Sequence, residues 1–134
     1  MADKFYRDHD LIRYGYQRLP DNVTAMHLCI DPEATDDLAT LEGKSIATTA
    51  FGAADVSFGD EGPTGTFFMN LAGKNIPPTA PAAETDDIAI VYVSSSKMLL
   101  MLDAGDRIIT NESGDIVAIA PGKLEAPAVI EKVA

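Results

Sequence analysis

The chain has few of the residues on which many binding and catalytic sites depend. Its 134 residues include one cysteine, two histidines and no tryptophan. A single cysteine excludes an internal disulfide and any site built from several thiolates. Lysine and arginine total 10 against 21 acidic residues, which gives a formal net charge of -11. Because nucleic acids and anionic membranes are themselves negatively charged, this excess of acid argues against both as partners.

Long apolar segments are absent as well. No apolar run approaches the roughly 20 residues of a transmembrane helix, and residues 1–10 lack the apolar core of a signal peptide. The sequence therefore predicts a soluble protein made in a cytoplasm, with no membrane partner.

Catalytic and metal-binding motifs are also missing. There is no G-x-S-x-G motif, and both histidines lie within the first 27 residues. His27 and Cys29 are interpreted as structural residues of one strand, since nothing supplies paired zinc ligands. The aspartate pairs at 36–37 and 86–87 do not follow the alternating pattern of a calcium loop, and we interpret them as solvated charge. We expect no enzymatic activity, no metal and no cofactor.

Short apolar runs separated by turn residues dominate residues 87–133. Runs of four to seven residues rich in Val, Ile and Leu, bounded by Gly, Pro, Asn and Ser, are typical of strands in an antiparallel meander. Five residues at period-two spacing are predicted to form the buried faces of two of these strands. These are Ile108, Thr110, Ile116, Ala118 and Ala120.

The amino-terminal half adds three predicted strands, over residues 23–30, 44–51 and 66–71. Between the last two lies a glycine-rich loop over residues 52–65, which lacks the Lys-Ser/Thr of a phosphate-binding loop and carries carboxylates that would repel a phosphate. Three prolines within residues 76–84 predict a stiff, extended connector. The predicted fold is mainly β: a small antiparallel barrel or sandwich in residues 21–134, crossed by this connector.

Residues 1–20 differ from the rest of the chain and are predicted to form an extended N-terminal arm. Four of the nine aromatic residues lie here, and the first 18 residues carry a net charge of +1. Aromatic and arginine side chains make large contacts at protein interfaces, so a docking role is indicated. The candidate docking residues are Phe5, Tyr6, Arg7, Arg13, Tyr14, Tyr16 and Arg18. The alternative is a first strand and a loop that cover the domain's own core.

The C-terminal third has the order of strands and turns that is common in small head proteins of tailed bacteriophages. The matching residues are Leu102, Gly105-Asp106-Arg107-Ile108, Gly114, Val117-Ala118, Gly122 and Ala128-Val129-Ile130. This segment resembles the capsid decoration proteins in particular. It departs from them before the last strand, where they often have a glycine and this chain has Ala126-Pro127-Ala128.

The resemblance implies a non-enzymatic structural protein of a virion. Decoration proteins bind the capsid exterior, often as trimers, and stabilise neighbouring capsid subunits. The implied partners are the major capsid protein and further copies of this chain, with a trimer among the options, and the implied location is the virion surface. On this view, deletion of residues 1–18 abolishes docking and leaves the core folded. The alternatives are a β-barrel that binds a small molecule or carbohydrate, with residues 52–65 as a lid, and a small enzyme that uses carboxylates or a divalent metal.

Overall fold

The computed structural model describes residues 5–6, 9–62, 65–126 and 129–130. The helices in these ranges are α1 His9–Tyr16, α2 Arg18–Asn22 and α3 Leu38–Lys44, with a 3-10 turn at Ala53–Asp55. The strands β1 to β11 are Phe5–Tyr6, Ala25–Ile30, Ser45–Ala50, Val56–Asp60, Phe67–Leu71, Lys74–Ile76, Ile88–Val93, Met98–Asp103, Val117–Ile119, Gly122–Ala126 and Val129–Ile130. With 41% strand against 20% helix and antiparallel sheets, the mainly β prediction is confirmed.

The larger sheet has four antiparallel strands in the order β3-β2-β7-β8. Successive side chains of a strand point to opposite faces, so the central strands need cover on both sides. On one face, Leu41 of α3 packs against Cys29 and Val91. On the other face, Met26 and Tyr92 belong to the main hydrophobic core.

The second sheet has three antiparallel strands in the order β10-β5-β4. Its central strand, β5, alternates buried and half-buried residues, and Phe67, Met69 and Leu71 are the buried ones. Met69 and Leu71 join the same core cluster as Met26 and Tyr92 of the larger sheet. Among the described residues no sheet closes into a barrel, so the barrel alternative is wrong for this part of the chain.

The strands after residue 87 do not form the predicted meander. Only β7 and β8 pair as sequence neighbours, whereas β9 pairs with β6, β10 with β5 and β11 with β1. Residue Ile109 forms an isolated bridge with Ala82. An apolar pattern of period two identifies a strand but contains no information about a distant partner. The prediction therefore located most of the strands and mispaired them.

The predicted buried face of this region is the exposed one. Ile108 is 67% exposed and Ile116 is 64% exposed, and Thr110, Ala118 and Ala120 are exposed as well. The neighbouring positions Ile109, Val117 and Ile119 are buried instead. A shift of one residue moves every side chain of a strand to the opposite face. Both faces carry apolar residues here, so the sequence pattern alone does not determine which face is buried. The distant strands that pair with this region determine it.

The prediction of an extended arm is wrong from residue 9 onwards, where α1 and α2 form. Ile12 and Leu19 are buried, and Tyr16 is half-buried against the core. Ile12 and Tyr16, four residues apart, lie on one face of α1, and Leu19 lies in α2. Residues 5–6 do extend, as strand β1 beside β11.

Two other segments differ in part from expectation. The glycine-rich loop contains strand β4, in which a Cβ at Gly59 would lie 2.5 Å from the ring of Phe68 and would displace that ring. The Pro-rich connector lies on its own chain, because the N–H of Thr79 donates to the carbonyl of Ile46 over 2.6 Å. Ala82 also bridges to Ile109 in the same region. The connector thus covers its own core.

Candidate interaction surface

The inner face of α1 is anchored by an aromatic cluster around Phe67 of β5. The guanidinium of Arg13 lies 5.3 Å from the ring centroids of both Phe58 and Phe67, and the ring of Tyr16 lies 6.0 Å from that of Phe67. Phe58 and Phe67 stack with their centroids 5.8 Å apart. Arg13 and Tyr16, both predicted as docking residues, therefore hold the helix on its own domain.

His9 adds a polar anchor at the start of α1. Its Nε2 lies 3.0 Å from the carbonyl oxygen of Gly65, which can only accept, so this nitrogen donates the hydrogen bond. Its Nδ1 lies 3.7 Å from Oδ2 of Asp60, and its ring lies 5.4 Å from the ring of Phe67. The helix is thereby tied both to the β4–β5 connection and to the cluster.

The outer face of α1 shows the opposite character. Tyr14 is 79% exposed and Leu11 is 66% exposed. Two large apolar side chains three residues apart lie on the same side of a helix. Arg18, at the start of α2, is exposed nearby in sequence. The surface formed by Leu11, Tyr14 and Arg18 is called here the α1 outer face.

The remaining predicted docking residues are described only in part. Phe5 and Tyr6 lie in β1, where their backbones pair with Ile130 and Val129. Their side chains, and the whole of Arg7, lie outside the described residues. Of the seven candidates, Arg13, Tyr14 and Arg18 are exposed, and Arg13 and Tyr16 also contact the ring of Phe67.

Strand β8 is a second surface, which the sequence prediction did not identify as one. It is an edge of the larger sheet, and its apolar residues Met98–Leu102 are all only partly buried. In sequence the run looks like a core strand. The signal that could have identified an edge is the charge at each end, Lys97 and Asp103, both of which are exposed.

A cleft of about 370 Å³ separates the helices from the β7–β8 hairpin. Its lining includes Tyr16, Arg18 and Leu19 of the helical segment, residues 97–100 of the hairpin, and Met69 and Leu124 of the second sheet. Its two cationic side chains, Arg18 and Lys97, contrast with the acidity of the chain as a whole. A cleft of this volume falls within the range of small-molecule sites.

Several of the aspartates interpreted as solvated charge have specific structural roles. The ammonium of Lys44 lies 2.6 Å from Asp36. This hydrogen bond is the main reason why the pKa of the Asp36 carboxyl is below its usual value. Asp37 caps α3 by accepting from Thr40, which lowers the pKa of Asp37 in the same way. Asp55 accepts from the N–H of Gly52 and pairs with Lys74 at 2.9 Å, and both contacts lower its pKa.

No group of three or more metal-ligating side chains occurs within the described ranges. Asp86 accepts from the N–H of Ala83 over 2.8 Å, a local turn contact that orders the residues before β7. Of the two aspartate pairs, Asp36, Asp37 and Asp86 are thus used in an ion pair, a cap and a turn, and Asp87 is exposed.

His27 and Cys29 lie on the face of β2 that packs towards α3. The His27 Nδ1 lies 2.9 Å from the hydroxyl of Ser45, and burial lowers the pKa of the imidazole, with Glu42 opposing the shift. The Cys29 thiol is fully buried and lies 3.5 Å from the carbonyl oxygen of Leu41. Burial raises the pKa of this thiol to about 11. Both residues occupy the structural positions predicted for them.

No protein-family model, curated protein or solved structure matches this chain. In the part of the chain that the structure describes, no helix has both the length and the hydropathy needed to cross a bilayer.

Proposed function

We propose that this chain is a non-enzymatic structural protein of a virion, which binds the capsid exterior as a decoration protein. The proposed partners are the major capsid protein and further copies of the chain, brought together after synthesis in the host cytoplasm. In fold, we propose that the two larger sheets form a sandwich-like core. The sequence resemblance in the C-terminal third suggests this class, and the exposed surfaces of the domain support it.

The α1 outer face carries the proposal. Exposed aromatic and aliphatic side chains beside an arginine have the composition of interface centres. Here Leu11 and Tyr14 project from a helix whose other side is fixed by Arg13 against Phe67. A surface held rigid before binding loses little conformational entropy on docking. This arrangement suits a protein that attaches to a preformed shell.

The test substitutes the outer face and leaves the anchor intact. Deletion of residues 1–18 is unsuitable, because it would remove the buried Ile12 together with the surface. We instead expect the double variant Leu11→Ser/Tyr14→Ser to bind capsid particles of the same virus at least about tenfold more weakly. Co-sedimentation of purified chain with assembled particles measures this, and thermal unfolding checks that the fold is retained.

A matched control is available on another surface. Ile108 and Ile116 are 67% and 64% exposed, so Ile108→Ser/Ile116→Ser removes a similar amount of exposed apolar surface far along the chain. This variant is expected to co-sediment like the unsubstituted chain. Equal binding by both double variants would contradict the role of the α1 outer face.

The cleft supports a second candidate, a small-molecule or carbohydrate-binding function. With Arg18 and Lys97 at its walls, the cleft would favour an acidic ligand. Residues 52–65 were expected to act as a lid, but much of this segment forms strand β4. The candidate ligand site is therefore this cleft. A screen of sugar acids and phosphorylated sugars by thermal shift tests it, since a ligand that binds only the native state raises the unfolding temperature. A stabilising hit that Arg18→Ala removes would favour this function over the first.

A further inference from the structure

The outer edge of β8 has backbone groups that no described strand pairs. β8 is the last strand of the sheet β3-β2-β7-β8, with β7 on its other side. The N–H of Ala104 donates to the carbonyl of Ile88, which marks these residues as a hydrogen-bonded pair of the β7–β8 ladder. Such pairs alternate with pairs whose backbone groups point outward. In the register of this ladder, Met101 and Asp103 therefore turn their N–H and C=O groups away from β7.

The other edges of the two larger sheets have features that discourage pairing. β3 carries Thr48 and Thr49, β4 ends in Gly59-Asp60, and β10 places Lys123 and Glu125 on its exposed side. Charged and polar residues at an edge strand are a common protection against association. β8 instead presents the apolar run Met98–Leu102, partly exposed throughout. It is the edge that is suited to receive another strand.

The charges at the two ends of β8 indicate which strand would pair with it. Lys97 precedes the apolar run, Asp103 ends it, and both are exposed. If two β8 strands pair antiparallel with Met101 opposite Met101, as its outward backbone groups allow, each Lys97 comes within reach of the other copy's Asp103. Parallel pairing would bring like charges together instead. The edge is therefore complementary in charge to itself in the antiparallel arrangement.

We propose that β8 pairs antiparallel with β8 of a second copy, joining the two four-stranded sheets into one continuous sheet across a two-fold axis. Edge pairing supplies main-chain hydrogen bonds, and the apolar side chains bury against their counterparts. Pairing of one edge with itself closes at two copies, so the assembly unit is a dimer. This inference rests on the proposed function, because it names the contact through which copies of a decoration protein would associate.

A charge exchange tests the pairing on the purified full-length chain. Light scattering over a concentration series should show a reversible monomer–dimer equilibrium. Lys97→Glu or Asp103→Lys alone places like charges together and should weaken dimerisation by about tenfold or more. Combining Lys97→Glu with Asp103→Lys reverses both charges and should restore the dimer. Lys123→Glu, which makes the same charge change on the edge of β10, should leave dimerisation unchanged.

Several results would overturn the inference: a monomer at all concentrations, a trimer, an oligomer insensitive to the single changes, or a double variant that fails to dimerise. Asp103 also accepts from the N–H of Gly105 over 2.8 Å, so circular dichroism must confirm that the Asp103→Lys variant is folded. If it is not, Lys97→Glu still tests the pairing, because the hydrogen bonds between Ser94 and residue 97 involve the main chain of residue 97 and survive the substitution.

The same proteins separate this inference from the proposed function. A dimer sensitive to Lys97→Glu that does not bind capsid particles keeps the pairing and contradicts the decoration role. A monomeric chain that nevertheless binds capsid particles supports the decoration role and contradicts the pairing of β8.

Discussion

Strands β7 and β8 are neighbours in the chain and in the sheet, and both are short apolar runs, yet they occupy different environments. In β7, five of six residues are buried, whereas in β8 no residue is. β7 lies between β2 and β8, and β8 has a described partner on one side alone. Position in the sheet, set by distant parts of the chain, separates a buried core strand from a partly exposed edge strand.

The comparison also explains why β8 can remain apolar without being buried. Exposed apolar edge strands promote association, so edge strands of monomeric proteins usually carry polar or charged residues. An apolar edge with opposite charges at its ends is instead compatible with controlled pairing. On this account, β7 contributes mainly to stability and β8 mainly to assembly.

The largest predicted effect compares two residues that face each other across the two strands. Tyr92 of β7 and Leu100 of β8 are paired in register, and Tyr92 packs edge-on against Phe51 with centroids 4.9 Å apart. We expect Tyr92→Ala to lower the free energy of unfolding by about 3–5 kcal/mol, as for other buried aromatic residues. Leu100→Ala should cost only about 1–2 kcal/mol, because its side chain is already partly exposed. Urea unfolding of dilute protein measures both, and equal losses would contradict the comparison.

The second prediction concerns thiol reactivity. Cys29, one strand away from β7, is fully buried with its pKa raised to about 11, so little thiolate forms near neutral pH. A cysteine at β8, introduced as Met101→Cys in a Cys29→Ser chain, should react with a maleimide or disulfide reagent at least about a hundredfold faster than native Cys29. Labelling rates followed by mass spectrometry at low protein concentration provide the measurement. Similar rates would show that the edge is as inaccessible as the centre.

The third prediction tests whether α1 is anchored separately from both strands. Arg13→Ala removes the contacts with Phe58 and Phe67 and should lower the free energy of unfolding by about 0.5–1 kcal/mol. Arg13→Lys retains a cation and should recover part of the loss. Dimerisation through β8 should be the same in both variants. A change in the monomer–dimer equilibrium would show that the helix and the edge are coupled.

The smallest predicted effect is a pH dependence of the free energy of unfolding that arises from His27 in the central strand β2. Burial lowers the pKa of His27 below its usual value of about 6.5, so below that pH the unfolded chain binds a proton more readily than the folded one. The free energy of unfolding should therefore fall as the pH drops from about 7 to 5, and His27→Gln should flatten this dependence. His9→Gln is the control for the other histidine. If the free energy of unfolding of the His27 variant depends on pH as strongly as that of the unsubstituted chain, His27 is not the source of this dependence.

Acid should cause a separate loss at lower pH. The pKa values of Asp36, Asp37 and Asp55 are held below the usual value by their hydrogen bonds. Their contribution to stability is present above that value and is lost as the pH falls through the folded-state pKa. The two windows do not coincide, so denaturant titrations at several pH values distinguish the imidazole from the carboxylates.

Strands with one clear apolar pattern could be predicted from the sequence. Residues 66–71 were predicted to form a strand and contain β5, and residues 23–30 contain β2. Where two adjacent positions are both apolar, as at Ile108 and Ile109, the pattern fits either face and the prediction chose the exposed one. The sheet partners that decide the choice are distant in the chain.

Residues 1–20 were predicted to form an extended arm, whereas residues 9–22 contain two helices. The spacing of Ile12 and Tyr16 is that of one helix face and is the signal in the sequence that indicates α1. The edge at β8 was missed because MLLML has the composition of a core strand, and the charges that flank it, Lys97 and Asp103, were the one local signal of an edge.

Residue-resolved amide hydrogen exchange as a function of protein concentration distinguishes the two strands. We expect the β7 amides to be protected at every concentration. The outward amides of Met101 and Asp103 should exchange rapidly in dilute solution and become protected as the concentration rises. Rapid exchange of these two amides at all concentrations, or protection that does not depend on concentration, would contradict the assignment of β8 as the edge that pairs.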